Sequence, residues 1–128
     1  TLQSAFAGKN YTALPRVDII YTHCDDDGVF VEAALKAGAQ GIVYAGSGMG
    51  SIHKGAEQAL MNAAAQGIAV VRSTRVSEGR VLPANPKWEA AGFISGGNLN
   101  PQKARILLQL ALTETKDPAK LQQIFDEY

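Results

Sequence analysis

Gly41–Ser51 reads GIVYAGSGMGS and runs straight into Ile52–Gly67, IHKGAEQALMNAAAQG. Ile42–Ala45 is a short apolar run of the kind that forms a buried strand. Gly46, Gly48 and Gly50 follow at every second position, which lets the backbone take positive φ and lets another chain or a ligand approach closely. Ser51 then stands where a helix N-cap is expected, ahead of an Ala-rich helix over about Ile52–Gln66 that stops at Gly67. A helix N-terminus presents unpaired N–H groups and a partial positive charge. The turn is therefore a place where a small anion, a carboxylate or a neighbouring chain can dock.

The flanking segments repeat the strand–helix alternation. Val17–Tyr21, VDIIY, is β-branched and apolar, and predicts a strand. Cys24–Gly28, CDDDG, is a turn whose Asp25–Asp27 can cap the helix Val29–Ala37, with Gly38 as its stop. Ile68–Arg72, IAVVR, is a third strand, Ser73–Pro86 is irregular with a turn at Ser77-Glu78-Gly79, and Gly92–Ser95, GFIS, is a short fourth strand. Asn100-Pro101 places Asn at an N-cap and Pro at the first helical position of a helix running to about Thr115. Asp117-Pro118 repeats the device and opens an amphipathic helix over Ala119–Phe125. The order predicts an α/β fold: a parallel, flavodoxin-like sheet of about four strands with helices on both faces. Ligands in such sheets sit beyond the carboxyl ends of the strands. Gly46–Ser51, Ser73–Arg75 and His23-Cys24 all belong there.

At 128 residues the chain can bury a single core. Thr1–Arg16 is polar and rich in small residues, and reads as a linker entering a domain over 17–128. A start at Thr suggests a piece of something larger. Lys plus Arg and Asp plus Glu balance at 12 each, which argues against a nucleic-acid footprint or an anionic-membrane surface. The sequence contains neither an apolar run of about 18 residues that would span a membrane nor a visible signal peptide. The single Cys24 cannot form an internal disulfide.

Candidate chemistry is sparse. The glycine turn reads either as a phosphate loop or as a tight strand-to-helix connection. Its G-x-G-x-G spacing is not G-x-G-x-x-G, and Lys54 does not supply a G-K-[ST] motif. His23 and Cys24 could form a nucleophile pair, but adjacent residues in an extended segment point to opposite faces. His23, Asp25 and His53 could be imagined around a metal, without any recognisable ligand spacing. Ser73-Thr74-Arg75 offers two hydroxyls and a guanidinium, for a carboxylate or for an acidic residue at an interface. Nothing marks Glu78 and Glu89 as an acid–base pair. No nucleophile stands with a base and an orienting third group.

Several segments together resemble a known family. VDIIY at Val17–Tyr21, GIVYAGSGMGS at Gly41–Ser51, VVRSTR at Val70–Arg75 and above all NLNPQKARILLQLALTETKDPAKLQQIFDEY at Asn98–Tyr128 are similar to the C-terminal domain of bacterial type II L-asparaginases. The glutaminase-asparaginases are related to these enzymes. The resemblance covers nearly the whole chain from Pro15, and Tyr128 matches the family's C-terminus.

The resemblance implies an amidohydrolase that converts L-asparagine to L-aspartate and ammonia without a metal or cofactor. It implies a large N-terminal domain as partner, which carries the nucleophilic Thr in a T-G-G-T motif and a second Thr in a T-D-K-like motif. Neither motif is present here, and Thr115-Lys116-Asp117 has the letters of the second in another order. The resemblance further implies a homotetramer, a dimer of dimers, in which the glycine turn of one subunit reaches the active site of its partner. Ser51 matches the residue that helps hold the substrate's α-amino and carboxylate end. A second partner-supplied residue, often Glu, is matched nearest by Asn85, with Glu89 as the alternative. The expectations are a chain inactive by itself, a periplasmic location and self-association through exposed apolar surface. The rival expectation is a free-standing binding or assembly module for a small anionic ligand. A weaker third reading is an enzyme built on Cys24.

Overall fold

The computed structural model describes Phe6, residues 13–77 and residues 79–128. Its strands are β1 (Val17–Tyr21), β2 (Gly41–Gly46), β3 (Ala69–Thr74) and β4 (Ile94–Ser95). They form one parallel sheet in the order β1-β2-β3-β4. The helices are α1 (Val29–Lys36), α2 (Lys54–Ala65), α3 (Pro86–Ala90), α4 (Pro101–Leu112) and α5 (Pro118–Glu127). This is the α/β architecture the sequence predicts, with a strand order that follows the chain without reversal.

The sheet is buried on both sides, as parallel strands with crossover connections require. Ile42 and Tyr44 of β2 enter one core and Val43 the other, the period-two alternation of a strand. Each crossover steps to the next strand in the same direction, so right-handed connections carry α1, α2 and α3 over one face. There Val31, Leu60, Ala63 and Trp88 pack with Ile20, Ile42, Tyr44 and Val70. On the opposite face Ala104, Leu108 and Ala111 of α4, with Leu121 and Phe125 of α5, cover Val17, Val43, Val71 and Ile94. Helix α4 is also tied to the start of the sheet: Arg105 Nε donates to the Val17 carbonyl at 2.8 Å. Gln122 of α5 pairs with β4 as a further strand would. Its Oε1 accepts from Ser95 N at 2.8 Å and its Nε2 donates to Ser95 O at 3.2 Å, which closes that edge.

The caps explain where the helices begin. Asn100 Oδ1 accepts from Lys103 N at 2.8 Å and Asp117 Oδ1 from Ala119 N at 3.2 Å, each followed by Pro, as expected. Helix α1 starts from Gly28 at φ 81°, with the Asp26 and Asp27 carboxylates accepting from Gly28 N and Val29 N. Helix α2 departs from the expectation. Its N-cap is His53, not Ser51, and the imidazole Nδ1 accepts from Gly55 N at 3.0 Å. Ser51 is instead bridged in antiparallel fashion to Ser47, and the buried Ile52 carries the chain on to His53. Helix α3 lies where an irregular stretch was expected to end. Asn85 caps it through Lys87 N at 2.9 Å and Pro86 follows, the same device as at α4. Of the expected linker 1–16, only Phe6 and residues 13–16 are described. Glu78, in the expected 77–79 turn, lies outside the described residues, while Gly79 N donates to Val76 O at 3.1 Å.

Candidate functional site

Beyond β2 the glycine turn doubles back on itself before α2 begins. Ser47 O accepts from Gly50 N at 3.0 Å and from Ser51 N at 2.9 Å. Gly48 and Gly50 hold φ of 53° and 86°, the left-handed region that glycine enters without strain. Close packing adds a second demand at Gly50, where a Cβ would come within 2.9 Å of both Val81 methyls. At Gly46 a Cβ would strike the Ser51 carbonyl. Of the two sequence readings, the tight connection is the one these contacts describe. Residues 51–53 separate the glycines from α2, so the turn is not that helix's N-terminus.

Two side chains of β3 hold this turn from inside the fold. Arg72, 2% exposed, donates from Nε and Nη2 to Gly50 O at 3.2 Å each, from Nη2 to Met49 O at 3.4 Å, and from Nη1 to Leu82 O at 3.0 Å. Its guanidinium carbon lies 4.6 Å from the centre of the Trp88 ring. Burial lowers the Arg72 pKa, and the charge of Glu89 opposes that shift. Thr74, two residues along on the same face, donates from Oγ1 to Gly48 O and, at 3.5 Å, to Gly46 O. The Trp88 ring is itself fixed: Nε1 donates to Glu57 Oε2 at 2.9 Å, while Lys87 Nζ meets Glu57 Oε1 at 2.9 Å. Those bonds hold the Glu57 carboxyl below its ordinary pKa, the lysine contact first.

The expected site residues divide. Ser51 is exposed beside the clamped turn, and its hydroxyl has no hydrogen-bond partner among the described residues. Asn85 is half-buried, and its Oδ1 is committed to capping α3. Glu89, exposed on the same helix, lines a groove with Pro83, Phe93, Ser95 and Gln122. Arg72 links the turn that precedes Ser51 to the loop that precedes Asn85, since it binds the carbonyls of both Gly50 and Leu82.

A cleft of about 400 Å³ at the carboxyl ends of β1–β3 gathers His23, Cys24, Asp25, Ser47, His53 and Arg75. Within it, His23 Nδ1 lies 2.9 Å from the backbone oxygen of Cys24, and Cys24 is exposed and unpaired. His53 Nδ1 is taken by Gly55 N. Among the described residues no three His, Cys, Asp or Glu side chains come together as a ligand set. Arg75 is exposed, without an ion-pair partner among the described residues.

Sequence reasoning missed Arg72 and Trp88. The one signal for Arg72 was a cation on the apolar strand IAVVR; for Trp88 there was none. It also missed the buried pair of Tyr44 and Asp26, where the phenol donates at 2.6 Å. Burial first, and then this hydrogen bond, push the Tyr44 pKa up to about 12.

Comparison with known proteins follows the same lines. A match to the family described as "Glutaminase/Asparaginase C-terminal domain" runs over residues 16–125. The "L-asparaginase 2" of Bacillus subtilis is 48% identical across 100% of this chain and 34% of its own length. The "Probable L-asparaginase periplasmic" of Haemophilus influenzae is 43% identical across 100% of this chain and 37% of its own. The crystal structure titled "Probable Cytoplasmic L-asparaginase from Campylobacter jejuni" superposes with a TM-score of 0.87 at 49% identity, covering 91% of this chain and 38% of that one. This chain thus spans about a third of the length of the curated relatives it matches. With residues 16–125 matched and a similar fold in a 49% identical neighbour, the chain belongs to the glutaminase/asparaginase C-terminal domain family.

Proposed function

We propose that this chain is the C-terminal domain of an L-asparaginase and that it completes the active site of a neighbouring subunit. The observation that carries this is the build of the Gly46–Ser51 turn. Its backbone carbonyls are held from behind by Arg72 and Thr74. Met49 at its tip is 61% exposed, and the Ser51 hydroxyl is left open. A turn fixed in place with its side chains outward suits presentation to another chain.

In this reading the large N-terminal domain supplies the Thr nucleophile, whose hydroxyl attacks the side-chain amide of L-asparagine. The C–N bond breaks to release ammonia and leave an ester on the Thr, and a water then cleaves that ester to release L-aspartate and restore the hydroxyl. The present chain contributes no catalytic residue, no cofactor and no metal. Ser51 holds the α-amino and carboxylate end of the substrate. Asn85 offers its Nδ2 as a second contact while its Oδ1 caps α3, with Glu89 as the alternative. The full protein is a dimer of dimers. Relatives of both compartments exist by name, and the type II likeness favours the periplasm.

Ammonia release from L-asparagine tests the proposal, measured for this chain, for the N-terminal domain and for their mixture. Activity is expected only in the mixture. Hydrolysis by this chain alone refutes the division of labour. An associated but silent mixture refutes the enzymatic role and favours a binding module.

A further inference from the structure

We infer that Arg72 is a positioning residue for substrate capture, fixing Ser51 by gripping the carbonyls of Met49 and Gly50 and tying that turn to Leu82. The inference rests on the proposal that Ser51 holds substrate.

A guanidinium that is 2% exposed has lost its hydration, and Arg72 forms no salt bridge among the described residues. Burying a cation without a carboxylate is costly unless its donors are satisfied by other means. An apolar side chain could pack against Trp88 without that cost. The fork does what such a side chain cannot. Nε and Nη2 converge on Gly50 O at 3.2 Å each, and Nη1 turns away to Leu82 O at 3.0 Å. Three segments of chain, the glycine turn, the 82 loop and α3, are thereby registered on one planar group.

The grip is braced on both sides. Beneath it the Trp88 ring is anchored to Glu57 of α2 at 2.9 Å. Beside it Thr74 takes the carbonyls of Gly46 and Gly48. The carbonyls of Gly46, Gly48, Met49 and Gly50 therefore all point into the fold. Ser51 follows Gly50 by one peptide unit, so any tilt of that unit displaces Ser51 directly. Displacing a substrate-holding group by about 1 Å can cost about a hundredfold in rate. Lysine, a point charge on a flexible stem, cannot reproduce the two-pronged hold.

The test uses the complete asparaginase chain that contains this domain. Arg72→Lys, Ser51→Ala and the double variant are compared for KM and kcat on L-asparagine, with backbone amide exchange across 48–51 and thermal melting alongside. Arg72→Lys is expected to melt cooperatively, to raise KM by about tenfold with kcat within about threefold, and to speed exchange in the turn by about tenfold or more. The double variant is expected to show no larger KM than Ser51→Ala, because Arg72 acts through Ser51. Should Arg72→Lys fail to fold, Trp88→Phe keeps an aromatic face beneath Arg72 but deletes the indole N–H bond to Glu57 and part of the ring's volume, with a smaller effect of the same pattern. If Ser51→Ala raises KM but Arg72→Lys does not, or if the two losses multiply, the inference falls and the Ser51 assignment stands. If Ser51→Ala leaves KM unchanged, both fall.

Discussion

The Tyr44 hydroxyl donates to Asp26 Oδ2 at 2.6 Å, and both side chains lie within the fold, at 0% and 2% exposure. Asp26 Oδ1 meanwhile accepts from Gly28 N, so one carboxylate ties β2 to the start of α1. Tyr44→Phe removes the donor and leaves a buried carboxylate oxygen unsatisfied, at a cost of about 1–3 kcal/mol. The paired effect is on alkaline stability. The folded pKa is raised from 10.0 to about 12, so the contribution is complete below pH 10 and is lost as pH climbs from 10 toward 12. Base titration of unfolding in both proteins checks this. A Tyr44→Phe variant that loses as much stability as the parent over that interval refutes it.

Gly50 and Gly48 share a left-handed backbone but not a surrounding. Among the described residues nothing lies within 4 Å of a Cβ built at Gly48, while at Gly50 it would meet Val81 at 2.9 Å and Ser73 O at 3.1 Å. Gly48→Ala is expected to cost about 1 kcal/mol, the conformational term alone. Gly50→Ala adds overpacking and is expected to cost about 2–4 kcal/mol. Urea unfolding of the two variants decides it, and equal losses would show that Val81 yields freely.

Ser73 Oγ is fully buried without a hydrogen-bond partner among the described residues. Ser73→Ala removes a desolvated hydroxyl and is expected to leave stability unchanged or to raise it by up to about 1 kcal/mol. A clear loss on denaturant unfolding would mean that the hydroxyl is bonded in solution.

Ser51 and Asn85 separate by what each substitution disturbs. Ser51→Ala is expected to raise KM for L-asparagine in the full enzyme and to leave the melting temperature in place, since no bond within the described residues is lost. Asn85→Ala removes the α3 cap and is expected to cost about 1 kcal/mol. Asn85→Asp keeps an accepting oxygen for Lys87 N but deletes the amide donor. A raised KM with unchanged melting in Asn85→Asp assigns the residue to substrate. No kinetic change assigns it to the cap alone, and Glu89→Gln then tests the alternative.

Much of the fold was legible because its signals are local. Asn100-Pro101 and Asp117-Pro118 cap helices within their own few residues, and VDIIY and IAVVR declare buried strands by composition. Ser51 misled because its cap signature could not reveal the antiparallel bridge to Ser47 that holds it outside the helix. Helix α3 escaped notice because five residues carry no periodicity. At the site, the glycine turn stood out by its spacing, but the role of Arg72 did not. Its partners Gly50 and Leu82 lie 22 and 10 residues away, and a buried cation becomes plausible only once those carbonyls are known to converge on it.

The strand order β1-β2-β3-β4 follows synthesis, so each new strand finds its neighbour already made. The covering of the α4 face does not. Val17 and Val43 are laid down early but wait for Leu108 and Leu112, and the Arg105–Val17 bond spans 88 residues. A chain emerging from the ribosome therefore carries a half-clad sheet until the last helices arrive, and in that interval chaperones have an apolar surface to hold. The ordering makes residues 101–125 the clasp of the domain, and truncations there should surface as aggregation during expression before they surface as lost activity.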